Sequence, residues 1–451
     1  MEQAAGSVLI RNGRVFDAVS GNSAVGPIVF AERIVAVGDA ALAWAAANPC
    51  REIDAAGHTV MPGLIDAHCH ISFDEPHSND ELFFHRREGL AAIVACHNVR
   101  KLLRSGVTGC LDADTIFDVS LDVRDAIEGG LVEGPRMACG GNALFTSVGG
   151  TAGMLVPDEG AIGYLRVTRT RDEIISEVRR QAKRGVDWIK VHVTGLIPRQ
   201  RGSGEIQVWS FDELRAVVDT AHALGVPVVG HCRNASSTRD AARAGFDMIL
   251  HATHMDDEAL EAVIAARVPI VPTLTFQAVL ADHGAKVGAS AFVQDLFRRE
   301  IAESSGHLRR AYDAGVPLLC GTESGFSITP YGEWHWRELQ VFVEALGLTP
   351  EQALVCATRE SARALGLMGE VGTLEPGRLA DILVVRGDVT RDVSLLGVPG
   401  GISHVFKGGV SVDLTTPMPE RRPLPSWRVS SYSTLPLTRA AAGLHEIDDP
   451  A

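Results

Sequence analysis

The stretch "TRDEIISEVRRQAKRGVDWIKVHVTG", residues 170–195, decides the fold class. Thr170 and Glu173 stand in capping-box spacing, and Ile174, Ile175, Val178 and Ala182 recur on one helical face. Gly185 follows as a C-terminal stop, and the pattern then changes to a short apolar strand, 187–194. "SFDELRAVVDTAHALG", residues 210–225, repeats the design with Ser210, Glu213 and Gly225, and leads into the strand "VPVVGH", 226–231. Helix then strand, twice over, is the texture of a parallel sheet covered by helices.

Working outward, candidate strands are 62–70, 107–114, 135–140, 187–194, 226–231, 247–251, 268–275 and 316–323. Eight near-continuous apolar runs, mostly helix-linked, predict an α/β chain built on a (β/α)8 TIM barrel over 61–368. A doubly wound sheet is the alternative, but the first strand is not followed by a Gly-rich phosphate loop. The flanks differ. Short alternating runs with glycines fill 1–60 ("SVLIRNGRVFD", "GPIVFAERIVAVG") and return at 369–415 ("GRLADILVVRGD", "GISHVFKGGVSVD"). Neither flank covers both faces of a sheet alone, so the two are expected to form one composite β-sandwich domain, with 416–451 as a proline-rich extension.

Composition narrows the function. Of 451 residues, 46% are apolar and 22% charged, ordinary for a globular protein, and the net charge is 42 − 56 = −14. That acidity argues against nucleic acid or an anionic membrane as partner. The start, "MEQAAGSVLIRNG", lacks a basic n-region and an apolar run, and no apolar stretch reaches the length of a membrane span. Cysteines at 50, 69, 96, 110, 139, 232, 320 and 356 include no CxxC pair, so a reducing cytoplasm is expected. A homo-oligomer acting on a small-molecule substrate is the expected state.

The chemistry gathers at strand ends. In "LIDAHCHIS" His68 and His70 are two apart and share a face, which could hold one metal ion, although this spacing alone is weak. Position strengthens it, because strand carboxyl ends of a barrel share one rim. His231 and His251 end their strands, Glu323 ends "GVPLLCGTESG", and Lys190 stands within an apolar run where a lysine has little room to reach solvent.

These residues carry a resemblance. "VMPGLIDAHCH", "GVDWIKVHVTG", "GHCRNASSTRDAARAGFDMILHAT" and "ATRESARALGLMGEVGTLEPGRLADILVV" resemble segments of the amidohydrolase superfamily, over about residues 7–410. The likeness is to its carboxylated-lysine, two-metal branch, near imidazolonepropionase-like and prolidase-like hydrolases. It implies His68 and His70 on the more buried metal ion and His231 and His251 on the more exposed one. Lys190, as N6-carboxylysine, would bridge both. Two divalent ions, zinc first with manganese, cobalt or nickel as alternatives, would generate a hydroxide near neutral pH. The family's strand-8 carboxylate, normally aspartate, is Glu323 here; it would touch the buried metal and carry the proton from nucleophile to leaving amine. The extra methylene moves that carboxylate out by roughly 1.5 Å. Either the strand end retreats, or Glu323 serves as base without close ligation. A second departure is Thr151 in "VGGTAG", where the family often has histidine.

The implied activity is metal-dependent hydrolysis of an amide-like C–N bond in an amide, urea, carbamate or N-acyl amino acid, with an aryl xenobiotic such as a herbicide among the candidates. A deaminase of a nitrogen heterocycle is an alternative, disfavoured by His231-Cys232-Arg233-Asn234, which lacks the expected glutamate. A non-catalytic assembly protein on the same scaffold is a third reading. Candidate substrate contacts are His192, His254, Tyr331 and Trp334, with Phe73, Phe83, Phe84, Phe326 and Trp336 in the same rim loops. Arg199 and Arg201 are further cationic candidates.

Overall fold

The computed structural model describes residues 6–78, 81–82, 87–150, 163–197, 204–419 and 421–422. Thr151, Phe83, Phe84, Arg199 and Arg201 lie outside them. The chain divides into two compact units, Met1–Leu414 and Thr415–Ala451, and every described helix and strand lies in the first.

The 170–195 stretch folds as its sequence dictates. Helix Arg171–Arg184 starts where the Thr170 side chain accepts a hydrogen bond from Glu173 N, and it ends at Gly185 in the left-handed region, φ 84°. Ile174 and Val178 are buried on its inner face. Helix Phe211–His222 carries a complete reciprocal box between Ser210 and Glu213. Such caps contribute about 1 kcal/mol each.

Between the flanks all ladders are parallel. Leu64–Cys69, Val107–Asp112 and Arg136–Cys139 form one sheet. Leu165–Val167, Ala143–Phe145, Ile189–His192, Val228–Cys232, Met248–His251 and Ile270–Val271 form another. Single parallel bridges, Gly140↔Trp188, Ile270↔Leu318 and Cys69↔Ser324, join these sheets and the run 316–323. Two differences from the sequence reading stand out. The short strands Ala143–Phe145 and Leu165–Val167 add to the ladder beside Ile189–His192. The eighth run, 316–323, makes bridges rather than a ladder strand, because Pro317 has no N–H and the backbone turns left-handed at Glu323, φ 57°. It is nonetheless bonded on both sides: Leu319 N donates to Ile270 O, and Ala67 N donates to Cys320 O. One buried cluster, including Ala67, Leu111, Ala138, Trp188, Val229, Leu250, Val271 and Leu319, draws on all eight runs.

Strands from the two chain ends share one further sheet. Ile382–Arg386 pairs antiparallel with His58–Pro62, which pairs parallel with Val8–Asp17, and Asn22–Phe30 and Ile402–Lys407 extend it on either side. Ile10, Val60, Ile382 and Phe406 are among its buried residues. A helix, Asp39–Ala47, interrupts the N-terminal strands where the sequence reading had only hairpins.

Candidate metal centre

Parallel register sets the histidines at one level. His192 lies opposite His231, and Cys232 opposite His251. Five imidazoles then form a continuous chain, with ring centroids 5.1 Å apart for His70–His68, 5.2 Å for His68–His251, 4.5 Å for His251–His231 and 4.7 Å for His231–His192. Lys190, buried to 1% exposure, projects into the same cavity.

Partners fix the ring orientations. Thr273 Oγ1 lies 3.0 Å from His68 Nδ1, and Asp114 meets both His70 Nδ1 at 2.7 Å and His192 Nε2 at 3.1 Å. Glu205 lies 3.0 Å from His231 Nε2 and also accepts from the Thr194 hydroxyl at 2.7 Å. Carboxylates behind imidazoles hold a tautomer and aim the far nitrogen. Among the described residues, the buried polar atoms with no hydrogen-bond partner include His68 Nε2 and both ring nitrogens of His251, and also His70 Nδ1 and Asp114 Oδ1, whose close approach is a charge contact. Glu323 Oε1 stands 3.9 Å from His68 Nε2 and 3.8 Å from His70 Nε2.

The eighth run reaches this point because of its glycines. A side chain at Gly321 would come within 2.7 Å of His68 Cβ, and one at Gly325 within 2.4 Å of the His70 carbonyl oxygen. Between them, Glu323 N donates to His68 O at 2.7 Å. Beneath, Asp66 accepts from the Thr322 hydroxyl and from His335 Nδ1 (2.7 Å), tying strand Leu64–Cys69 to the eighth run. Glu323 and His251 (φ 69°) both occupy the left-handed region, a cost on the order of 1–3 kcal/mol per residue that the surrounding bonds sustain.

Electrostatics sort the donors. Burial, reinforced for His68 by the Lys190 charge, pushes His68 and His251 well below the ordinary imidazole range, so both are neutral. Burial likewise takes His192 down to about 4, against the pull of Asp114. Burial opposes a charge on His70 too, but Asp114 and Glu323 outweigh it and raise that group to about 9. Glu323 is held well below the carboxylate range, since the His68–His70 pair, with its charge on His70, overcomes the cost of burial. Lys190 is lowered by burial, partly offset by Asp114 and Glu323.

Neutral imidazole nitrogens, with no partner and facing an ionised carboxylate, form a donor set that fits a first-row divalent cation. His68, His251 and Glu323 bring donor atoms within 4.8 Å of one another. The centre opens into a cavity of about 760 Å³. His192, His254, Phe73 and Phe326 line it; Tyr331 and Trp334 do not. The Tyr331 hydroxyl instead donates to His70 O at 2.6 Å, holding the first rim loop, and Trp334 packs beside His283 and Trp336. Sequence reasoning missed Asp114, Glu205, Thr273, Arg233 and Glu300. Only Asp114 left a usable sign, as an acid ending the apolar run 107–114.

Comparison with known proteins agrees with this geometry. The Amidohydrolase family model matches residues 59–412, and the chain belongs to that family and is a hydrolase of C–N bonds. Ochratoxinase of Aspergillus niger is 27% identical over 376 residues, covering 78% of this chain and 75% of that protein. Imidazolonepropionase of Rhizobium rhizogenes is 26% identical over 444 residues, covering 89% and 98%. The crystal structure of a Xaa-Pro dipeptidase with methionine bound in its active site matches with a TM-score of 0.75 at 28% identity, covering 90% of this chain and all of that one (100%). These neighbours imply a TIM barrel. No helix among the described residues is long and apolar enough to cross a membrane.

Proposed function

We propose that the chain hydrolyses an amide-like C–N bond of a small molecule, in an amide, urea, carbamate or N-acyl amino acid, at a centre of two divalent metal ions. The observation that carries the reading is the set of His68, His251 and Glu323, whose donor atoms converge, with the buried His68 Nε2 and both His251 nitrogens lacking a hydrogen-bond partner and the partly exposed Glu323 carboxylate beside them. His68 and His70 would hold one ion, His231 and His251 the other, and Lys190 would bridge them as its carbamate. Zinc suits these imidazole-rich donors, with manganese, cobalt or nickel as alternatives. Bound there, the ions would lower the pKa of a water molecule so that it attacks as hydroxide, and would polarise the scissile carbonyl.

The rest is the work of the chain's own groups. Burial lowers the Lys190 amine, which raises its neutral fraction. The neutral amine adds carbon dioxide and releases a proton, giving an anionic two-oxygen group. Glu323, kept ionised, accepts a proton at Oε1 from the nucleophile and delivers it to the nitrogen of the departing amine. Its glutamate length fits a backbone that turns away early, at φ 57°, so the carboxylate still reaches within 4 Å of both first-strand histidines. Asp114 and Glu205 keep His70 and His231 in position. The similarity to a Xaa-Pro dipeptidase structure supports this reading.

We read 61–368 as a closed barrel, supported by the bridges on both sides of 316–323 and the cluster spanning all eight runs. Residues 1–60 with 369–415 are read as a second, β domain, supported by their common sheet, and 416–451 as an extension. Two experiments test the function. Elemental analysis of protein prepared without chelators is expected to give about two divalent ions per chain; none would sink the reading. A screen of aryl amides, ureas, carbamates and N-acyl amino acids, followed by amine release, is expected to identify the scissile bond.

A further inference from the structure

We propose that Phe276, Phe297 and Phe326 seat an aryl group of the substrate, so that N-aryl amides, ureas or carbamates are the preferred class. This rests on the reading of the cavity as the substrate site and adds the group that occupies its apolar wall.

Aromatic rings run along that wall in unbroken contact. Phe145 touches Tyr164 (6.4 Å between centroids), Tyr164 touches Phe73 (5.6 Å), and Phe73 touches Phe326 (5.3 Å). Phe326 then meets Phe276 at 5.8 Å, and Phe276 meets Phe297 at 6.4 Å. The rings are not equivalent. Phe73, Phe145 and Tyr164 are buried and serve as backing. Phe276, Phe297 and Phe326 remain partly exposed, and all three line the cavity. Their edge-to-face contacts, at interplanar angles of 78° and 83°, leave ring surface uncovered. A further ring laid there gains apolar burial and an aromatic contact.

The seat is also in reach of the chemistry and held in shape. Phe326 lies 5.8 Å from the His70 ring and follows Glu323 by one turn of chain. Gln277, next to Phe276, donates to Glu300 at 3.0 Å, which binds helix Thr275–His283 to helix Ala291–Asp313, the bearer of Phe297. Arg233 donates to the same Glu300 at 2.6 Å. Two helices fixed in this way present their rings without a further ordering cost on binding.

The test is equilibrium binding of N-(2-naphthyl)acetamide, followed by its own fluorescence, to chelator-treated protein, so that no turnover enters. Phe276→Ala and Phe297→Ala should each weaken binding about tenfold, the scale of one lost aromatic contact with its buried area. Phe276→Leu, which keeps apolar volume, should retain the fold and still lose affinity. Phe211→Ala, on a half-exposed ring outside the cavity, should bind as the parent does. N-methylacetamide, the same amide without the aryl group, should fail to displace the probe. Unchanged affinity in Phe276→Leu and both alanine variants, or displacement by N-methylacetamide, overturns the proposal. Normal ring-dependent binding with no amine release after metal loading would support the aryl seat and break the hydrolase reading alone.

Discussion

The two halves of the histidine chain are held in opposite ways. His68 Nε2 and both His251 nitrogens are buried with no partner, beside the Glu323 carboxylate. His70, His192 and His231 each lean on a carboxylate, Asp114 or Glu205. A buried polar atom without a partner costs about 1–3 kcal/mol, and on the proposed reading a cation would relieve that cost in the first half. In the second half each ring has a carboxylate oxygen within 3.1 Å, and those carboxylates serve to aim. One half thus offers its nitrogens, and the other frames them.

That contrast can be broken by experiment. The largest effect is expected at Lys190. Lys190→Ala should lower kcat/KM by more than about 100-fold, beyond the loss from removing an outer partner, and a short carboxylic acid such as propionate should restore part of it. Full activity without rescue would end the bridging role. His251→Gln should match that loss of activity and empty the centre of metal. Its effect on the stability of chelator-treated protein should be small, since only partnerless nitrogens are removed. Asp114→Asn should show the reverse pattern. Metal affinity should fall about 10–100-fold, while chelator-treated protein loses about 2 kcal/mol because one neutral amide oxygen remains where two carboxylate oxygens served His70 and His192. If both variants destabilise the metal-free protein equally by denaturant unfolding, the two halves are not different in kind. Glu323→Asp is expected to cost less, about tenfold, since the carboxylate remains ionised but withdraws by roughly 1.5 Å. Metal content and turnover measured together separate a lost ligand from a displaced base.

The division also explains what could be read before the structure was known. Helix starts at Thr170 and Ser210 and the strands between them follow from local capping and apolar runs, which are properties of neighbouring residues. The histidines and Lys190 end or interrupt such runs, and the register of parallel strands brings them level. Their partners follow no such rule. Thr273 meets His68 across 205 positions, and Glu205 reaches His231 from a loop with no apolar periodicity. Phe276 and Phe297 sit on helices, where aromatic residues read equally well as core. Trp334 and Tyr331 were placed near the cavity by loop membership alone, and side-chain direction put them elsewhere. The bridges of 316–323 depend on Gly321 and Gly325 meeting His68 and His70, a contact between runs more than 250 positions apart in sequence.

The last expected effect, matching Glu323→Asp in turnover, concerns Glu205, and it tests the frame by pH. Burial alone would raise this carboxyl, but His231, Arg233 and the Thr194 hydroxyl outweigh that cost and bring it down from 4.5 to about 2. Between those two values the unfolded chain binds a proton that the folded chain refuses. The stabilisation is therefore complete above about pH 4.5 and is lost as pH falls toward 2; its full size is about 3 kcal/mol. Chelator-treated protein should show a denaturation midpoint that declines on acidification through this window, and Glu205→Gln should flatten that decline while lowering the plateau at neutral pH. Turnover at neutral pH should fall about tenfold, because His231 keeps a hydrogen-bond partner in the glutamine oxygen but loses its charge. An acid limb equally steep in both proteins would mean that Glu205 is compensated in the unfolded chain as well. The frame would then be a consequence of burial, and only the partnerless half would be built for a ligand.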